Sequence, residues 1–382
     1  MAFFRITLLL SLPGVLLFSR PVLAEDNIGQ YLEQLQRAEE EYGAYDQSLA
    51  DAYLGLGAAY EANQELNEAV DAYLRGMHVQ RVNNGLFDPG QLVYLEELAG
   101  LEMERSNWFD ASDHLKRAYL ITAENHQPDS LPVLKALSNL IDLHLQAYSV
   151  GAEDWDKHLA RAATLNQHQF AGSGWINQDL LFTQERLQRT AYINYQVHKL
   201  AQSRVELNIP GSFQGNINKQ NAPTLFPSFR QGKVALENNV YILNEANAEP
   251  KLIAQGLAQV GDWHALFDRR NSAMKYYQQA FDFYASYEGE EAATKEFSEP
   301  VRIPTFRFDQ AGSVTTKKFQ YSLSVTAAGR TKDVKLLSEE EGLSVRDLRR
   351  ALSTAKSVRY RPALTKNGPM AKPDQTLSVL LE

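Results

Sequence analysis

The feature that most constrains the fold is a helical hairpin pattern that recurs along the first three quarters of the chain. In the stretch 50–83, apolar and small residues fall at helical spacing on two successive segments: Tyr53, Leu56, Gly57 and Tyr60, then Ala69, Tyr73 and Gly76. Gly57 is small enough to let the returning helix approach closely, and Ala69 and Tyr73 lie one turn apart on one face of it. The pattern predicts two antiparallel helices packed through small residues.

Further hairpins follow at a related spacing. Ala111 lies 42 residues after Ala69, and the second hairpin places Leu98, Ala99 and Trp108 at matching positions. A weaker third hairpin covers Leu137 to Ala162, and a fourth carries Gly261-Asp262-Trp263 followed by Ala273, Tyr277 and Ala280. We therefore expect a helical-repeat domain over 26–290, in which each repeat buries its apolar face on its neighbours. A stretch rich in Gly, Pro and Asn, at about 204–230, predicts an irregular insertion.

The spacing of these hairpins resembles the tetratricopeptide repeat (TPR). The resemblance implies a protein-binding groove lined by the first helix of each hairpin. In the first repeat the corresponding residues are Asp51, Leu54, Ala58 and Glu61. The alternative for these four is an ordinary solvent-facing role.

The last 70 residues have a different pattern, typical of a small α+β unit. Phe319 to Val325 alternates large and small side chains, which predicts a strand, and Gly329 supplies the turn to a return strand at 333–337. Ser344 is a candidate N-cap for a helix that reaches Lys356, with a predicted buried stripe of Val345, Leu348, Leu352 and Ala355. A final strand at 376–381 completes a predicted ββαβ unit.

This unit, over about 312–382, resembles the C-terminal domain of TonB-family proteins of the bacterial envelope. The resemblance is carried by the Val325…Gly329-Arg330…Asp333-Val334 hairpin and by Tyr360-Arg361-Pro362. It implies a module that adds a partner peptide to its sheet by strand pairing. The implied edge is the last strand, which comprises Gln375, Thr376, Leu377, Ser378, Val379, Leu380 and Leu381. Residues 291–311 are then expected to form a linker.

Charge is divided unevenly along the chain. The whole sequence carries a net −9, yet 299–382 holds 15 Lys and Arg against 9 Asp and Glu. Arginines near the last helix suggest a basic surface: Arg346, Arg349, Arg350, Arg359 and Arg361. Such a surface could meet an anionic envelope component or an acidic partner, and the alternative is a solvated helix face. The acidic whole argues against nucleic acid as a partner.

The first 24 residues have the three-part pattern of a secretory signal. Arg5 precedes an apolar stretch, and Val22-Leu23-Ala24 supplies small residues at the −3 and −1 positions of a cleavage site after Ala24. We expect export to the periplasm, and contact with the membrane only if this segment is retained. The alternative is an uncleaved inner-membrane anchor. The chain contains no cysteine, which excludes disulfides and thiolate chemistry.

No pattern points to catalysis. The eight histidines form no tight metal-ligand spacing, and we identify no catalytic, cofactor-binding or metal-ligating residue. The sequence therefore predicts a non-enzymatic interaction protein that joins bacterial envelope proteins, with an outer-membrane transporter as one candidate partner. A membrane-anchored TonB-type energy transducer is one alternative, although the chain lacks a long Pro-rich rod. A cell-wall hydrolase or its activator is a second.

Overall fold

The computed structural model describes five stretches of the chain. They are residues 25–170, 179–206, 229–303, 317–338 and 344–381. They belong to two compact units, Met1–Trp175 and Ile176–Glu382. The predicted signal segment, most of the predicted insertion and residues 304–311 of the predicted linker lie outside the described residues.

The first unit is built from helices joined by short turns. They are α1 (Glu25–Tyr42), α2 (Ser48–Ala62), α3 (Leu66–Asn84), α4 (Leu92–Glu104), α5 (Trp108–Asn125), α6 (Leu131–Ser149) and α7 (Trp155–Phe170), with a short 3₁₀ turn at Pro89–Gln91. Consecutive pairs α2/α3, α4/α5 and α6/α7 form antiparallel hairpins, as the sequence predicts.

The turns of the first two hairpins share one backbone conformation and one hydrogen-bond pattern. Gln64 and Ser106 both adopt a left-handed conformation, with φ of 65° and 61°. The next residue in each case returns a backbone hydrogen bond to the end of the preceding helix, from Glu65 N to Tyr60 O at 2.9 Å and from Asn107 N to Glu102 O at 2.7 Å. This Schellman-type closure satisfies carbonyls that the helix end would leave unpaired, so the hairpin angle is set locally.

Gly57 explains how tightly the first hairpin packs. A Cβ at this position would overlap the ring of Tyr73, so only glycine lets the two helices come this close. Tyr73 is buried, and its hydroxyl donates to Glu61 at 3.2 Å. Ala69 is also fully buried. The close approach predicted from the sequence is confirmed, and the unit has a TPR-like hairpin geometry.

The second unit begins with more helices. They are α8 (Leu180–Glu206), α9 (Phe229–Glu245), α10 (Pro250–Leu266), α11 (Arg270–Glu288) and α12 (Glu290–Glu296). The α10/α11 hairpin repeats the earlier geometry, because Gly261 faces the ring of Tyr277 as Gly57 faces Tyr73. Its turn again uses a left-handed residue, Asp268, with φ of 57°. The fourth hairpin predicted from the sequence is therefore confirmed.

Strands follow these helices. They are β1 (Val301–Arg302), β2 (Lys317–Val325), β3 (Thr331–Ser338), β4 (Tyr360–Arg361), β5 (Ala363–Thr365), β6 (Gly368–Met370) and β7 (Lys372–Leu381), with helix α13 (Val345–Ser357) between β3 and β4. Strands β3, β2 and β7 form an antiparallel sheet in that order. The described chain is thus mainly helical and ends in a small strand region.

Helix α13 covers one face of this sheet. The alternate β2 residues Phe319, Tyr321, Leu323 and Val325 are all buried beneath it, as their spacing predicts. The Ser344 side chain accepts a hydrogen bond from Asp347 N at 3.1 Å, so the predicted N-cap is also confirmed. The predicted helix stripe needs one correction. Val345 is 66% exposed, and Ala351 takes the buried place because the apolar face is rotated toward it.

Two further expectations need correction. The ββαβ pattern omits β1, β4, β5 and β6, which are two or three residues long and carry no strand periodicity. The predicted linker, 291–311, is structured over its described part. Ala293 and Phe297 of this segment pack into the core of the α10/α11 hairpin, and Ile303 is 1% exposed. Burial of these apolar side chains orders a stretch that its composition marks as polar.

Candidate protein-docking site

The last strand, β7, lies at an edge of the three-stranded sheet, because β2 occupies the centre. From Gln375 to Leu381 it pairs with β2 through seven consecutive residues without a register shift. Leu377 and Val379 point into the core at 3% exposure each, while Thr376 and Ser378 are exposed. Edge strands present unpaired N–H and C=O groups along their free side. The predicted peptide-pairing residues are therefore on an edge that is regular from Gln375 to Leu381. The one register shift of this pairing lies just before them, where Asp374 has a left-handed φ of 55°.

The opposite edge, β3, is built differently. Its pairing with β2 shifts register twice, between Gln320 and Tyr321 and again between Ser322 and Ser324. Asp333 adopts a left-handed φ of 53° at the second irregularity. Bulges and charged side chains are the usual means by which an edge is protected from further pairing. Of the two edges of this three-stranded sheet, β7 has the longer stretch without a register shift, and it is the one suited to accept another strand.

Arg361 anchors this module to the last helical hairpin. Its Nε lies 3.1 Å from Asp262 Oδ1, and its Nη2 lies 2.5 Å from Asp262 Oδ2. The hydroxyl of Tyr277 donates to the same carboxylate at 2.9 Å. The side chains of Arg361 and Asp262 are only 10% and 13% exposed. A two-point arginine–carboxylate pair of this kind is geometrically specific.

The electrostatics of this cluster follow from burial and from the carboxylate. Burial by itself would lower the pKa of Arg361, but the charge and hydrogen bonds of Asp262 outweigh it and the pKa is raised. Burial raises the pKa of Tyr277 well above its ordinary value, and the negative charge of Asp262 raises it further. The cluster is therefore a fixed ion pair with a neutral phenol beside it, suited to anchoring rather than to proton transfer.

A second group of contacts surrounds the anchor. Asp268, in the α10/α11 turn, pairs with Arg330 at 2.5 Å and lies 3.5 Å from Arg359. Strand β1 pairs with β4, and Leu364 N donates to Phe297 O at 2.9 Å. Gly329 is required here because its φ is 70° and a Cβ would overlap the carbonyl oxygen of Tyr360. The C-terminal strands are thus seated on α10, α11 and α12.

The predicted basic surface needs correction, because two of its five arginines contact acidic residues of the last hairpin. Arg361 is buried and ion-paired, and Arg359 is half-buried near Asp268, because acidic side chains of α10 and its turn draw both inward. Arg346, Arg349 and Arg350 are exposed on α13. None of these three has an ion-pair partner among the residues that the structure describes. The basic surface is therefore confined to one face of α13. The partner that the sequence analysis did not identify is Asp262, which directly follows Gly261, the packing glycine of the fourth hairpin.

The predicted groove residues of the first repeat do share one face of α2. Asp51 and Ala58 are exposed, whereas Leu54 and Glu61 are half-buried. Leu54 packs against the core formed with α4, and Glu61 accepts the hydrogen bond from Tyr73. Two of the four thus have internal packing roles, and binding by this face remains a prediction.

Within the described ranges, no cluster of His, Asp and Glu is arranged to hold a metal ion. Among the same residues, no helix combines the length and apolar character needed to cross a membrane.

Comparison with known proteins identifies no family, since neither a family model nor a curated protein matches the chain. Several solved structures are similar in part. BtubC from P. vanneervenii is 16% identical with a TM-score of 0.33, over 70% of this chain and 93% of that one. A Podosopora anserina protein described as a kinesin light chain with nearly identical TPR-like repeats is 14% identical, with a TM-score of 0.34, over 64% and 98%.

A Rap protein complexed with Competence and Sporulation Factor is 9% identical with a TM-score of 0.28, over 70% of this chain and 67% of that one. TM-scores at this level do not establish a shared fold. The repeat architecture described above therefore rests on the hairpins of this chain, with their recurring turns and glycine–tyrosine contacts.

Proposed function

We propose that the chain is a non-enzymatic interaction protein whose C-terminal module binds an extended partner peptide by adding it to strand β7. The observation that carries this proposal is the contrast between the two sheet edges. The β7 edge is regular over Gln375 to Leu381, whereas β3 is twice bulged. Backbone pairing along an open edge provides affinity with little demand on the peptide's sequence.

The seat on the last hairpin supports this function by holding the edge in place. The buried pair between Arg361 and Asp262 fixes the strands that follow α13 to a rigid helical support. A strand that is already ordered loses little conformational entropy when a peptide pairs with it. The exposed arginines of α13 would add electrostatic attraction to an acidic partner.

The resemblance to the TonB C-terminal family suggests the setting of this interaction. The residues on which that resemblance depends lie in the β2–β3 hairpin and in β4 with the proline that follows it. We infer a periplasmic adaptor in which the TPR-like hairpins bind one envelope protein and the TonB-like module binds another. An outer-membrane transporter is the candidate for the second partner. Cleavage after Ala24 would release the adaptor from the inner membrane.

Site-specific crosslinking tests the docking edge. A photo-crosslinking residue replaces Ser378 on β7 in the full chain, expressed in the cells that natively produce it, and adducts are identified by mass spectrometry. The matched control carries the same residue in place of Lys335, which is exposed on the bulged edge. We expect a discrete adduct with an envelope protein from position 378 alone. Equal adducts from both edges, or none from position 378, would exclude strand addition at β7.

A further inference from the structure

An open groove lies in the first unit between the end of α1, the loop 43–47 and helix α3. Its volume is about 440 Å³, and it is lined by two carboxylates, two aromatic rings and two nitrogen-bearing side chains: Glu39, Asp71, Tyr45, Tyr53, Arg75 and His78. None of the four residues predicted to form the TPR groove lines it. The groove is therefore a separate candidate site.

The aromatic wall of this groove is held rigidly. Asn83, at the end of α3, donates from its side chain to Tyr45 O at 2.7 Å and to Val79 O at 2.9 Å. The ring of Tyr45 meets that of His78 edge-on, with centroids 5.8 Å apart. Arg81 lies 3.0 Å from His78 Nδ1, and because a guanidinium can only donate, that nitrogen accepts. The backbone at Tyr45 is thus tied to α3, and the Tyr45 and His78 rings together form one wall of the groove.

The carboxylates on the other walls have spare capacity for a ligand. Glu39 accepts a hydrogen bond from the Tyr53 hydroxyl at 3.0 Å through one oxygen, Oε1. Asp71 is exposed and makes no ion pair or hydrogen bond with any residue that the structure describes. The surrounding unit is strongly acidic, since 25–175 carries 25 Asp and Glu against 9 Lys and Arg. The field around the groove therefore favours a cation.

The next repeat shows what Asp71 lacks. Residues 42 positions apart in the two repeats are equivalent. Asn125 donates to Phe87 O at 2.8 Å, as Asn83 donates to Tyr45 O. At this shift Asp71 corresponds to Asp113, which pairs with Lys116 at 2.8 Å.

The lysine of the second repeat is replaced by Leu74 in the first. The same shift aligns Glu39 with Arg81, so the second repeat is basic where the first is acidic. Asp113 of the second repeat therefore has a lysine partner within its own helix, whereas the equivalent Asp71 of the first repeat has none among the described residues.

We propose that this groove binds a basic extended peptide, with a lysine or arginine side chain placed between Glu39 and Asp71. The cationic group takes the position relative to Asp71 that Lys116 takes relative to Asp113. The aliphatic part of the side chain lies against Tyr45 and Leu74, which is 39% exposed. Long basic side chains bury their methylene groups in this way while the charge reaches a carboxylate. The site is distinct from the β7 edge and does not depend on strand addition.

Peptide binding by the full chain tests this inference. The probe is a fluorescein-labelled octapeptide of alternating Lys and Ser, measured by fluorescence anisotropy, with the Glu and Ser counterpart as the charge control. Three variants each raise the net charge by one: Asp71→Asn, Leu74→Lys and Asp113→Asn. Asp71→Asn removes the open carboxylate, and Leu74→Lys supplies the internal lysine of the second repeat. Asp113→Asn is the matched control outside the groove.

We expect Asp71→Asn and Leu74→Lys each to weaken binding of the basic peptide by about tenfold, the loss typical of a charge-assisted contact. Asp113→Asn should change the affinity by less than about twofold, because a distant surface charge contributes little. All three positions are on the surface, and circular dichroism confirms that each variant is folded. No binding of the basic peptide, equal binding of the acidic one, or equal losses in all three variants would overturn the proposal.

The same variants separate this inference from the proposed docking edge. Crosslinking from Ser378 should be unaffected by Asp71→Asn, because the two sites use different elements. Failure of one proposal therefore leaves the other standing.

Discussion

Arg361 and Asp262 are 99 residues apart in the chain and form a buried two-point ion pair. The carboxylate also accepts the hydroxyl of Tyr277, so its oxygens are well satisfied. This buried contact, with the Asp268 contacts around it, joins the C-terminal strands to the last TPR-like hairpin. The basic C-terminal segment thus places one of its arginines in the interior of its own unit instead of offering it to a partner.

Removing the negative charge of Asp262 should destabilise the folded protein. We predict that Asp262→Asn lowers the free energy of unfolding by about 3 kcal/mol, because Arg361 is left charged and buried without compensation. Urea unfolding of the full chain, followed by circular dichroism and tryptophan fluorescence, measures the change. The control is Asp268→Asn, whose carboxylate side chain is 63% exposed and should contribute less than about 1 kcal/mol. Equal losses for the two variants would contradict a buried anchor.

The glycine–tyrosine contacts give a second prediction. Gly57→Ala should destabilise the first unit by about 1–3 kcal/mol, because the added methyl group forces the Tyr73 ring to move in a packed core. Gly100→Ala is the matched control, since nothing lies within 4 Å of a Cβ at that helical position. There the change should stabilise by about 0.5–1 kcal/mol through helix propensity. Thermal unfolding of both variants measures the difference, and a stabilising Gly57→Ala would refute the packing argument.

Local patterns predict the local structure of this chain well. The buried face of Phe319 to Val325 follows from strand periodicity, and the Ser344 cap follows from its position before an amphipathic helix. The hairpin with Gly57 and Tyr73 is equally local, because its two halves are 16 residues apart. In each case the residues that determine the structure lie within a few turns of one another.

Contacts between distant segments are not visible in such patterns. The sequence suggests that Arg361 is a surface charge, since an isolated arginine is normally solvated. Its burial depends on Asp262 meeting it from another element. The same reason explains why residues 291–303 are expected from the sequence to belong to a linker, although Phe297 packs in the core of the α10/α11 hairpin. The groove beside Asp71 likewise brings together residues of α1, α2 and α3 that are far apart in the chain.

The cellular location is tested by the N-terminus of the native protein. We predict a soluble envelope form that begins at Glu25, because Val22 and Ala24 supply small residues at the −3 and −1 positions of a cleavage site. Intact mass and N-terminal sequencing of soluble and membrane fractions measure this. An Ala24→Asp variant, which blocks cleavage, should accumulate uncut in the membrane fraction. A native protein that retains residues 1–24 would instead support a membrane-anchored transducer.

A buried histidine pair predicts that the first unit weakens in acid. The Nδ1 atoms of His144 and His158 lie 2.9 Å apart, and both side chains are buried. Burial, together with the charges of His158, Arg161 and Lys116, lowers the pKa of His144 to about 3. Burial also lowers the pKa of His158, and Arg161 adds to that effect while Asp154 opposes it.

The sign of the pH dependence follows from these shifts. Above about pH 6.5, the ordinary histidine pKa, both residues are neutral in the folded and unfolded chain and contribute no pH dependence. Below it the unfolded chain binds the extra protons, so the free energy of unfolding falls as the pH drops toward about 3. The slope due to His144 reaches about 1.4 kcal/mol per pH unit.

Urea unfolding between pH 7 and pH 4 measures this slope. His144→Gln should flatten it, because glutamine can still donate to His158 but does not titrate. If His144→Gln retains the wild-type slope, the buried pair does not control the acid sensitivity, and the carboxylates of this acidic unit would have to account for it.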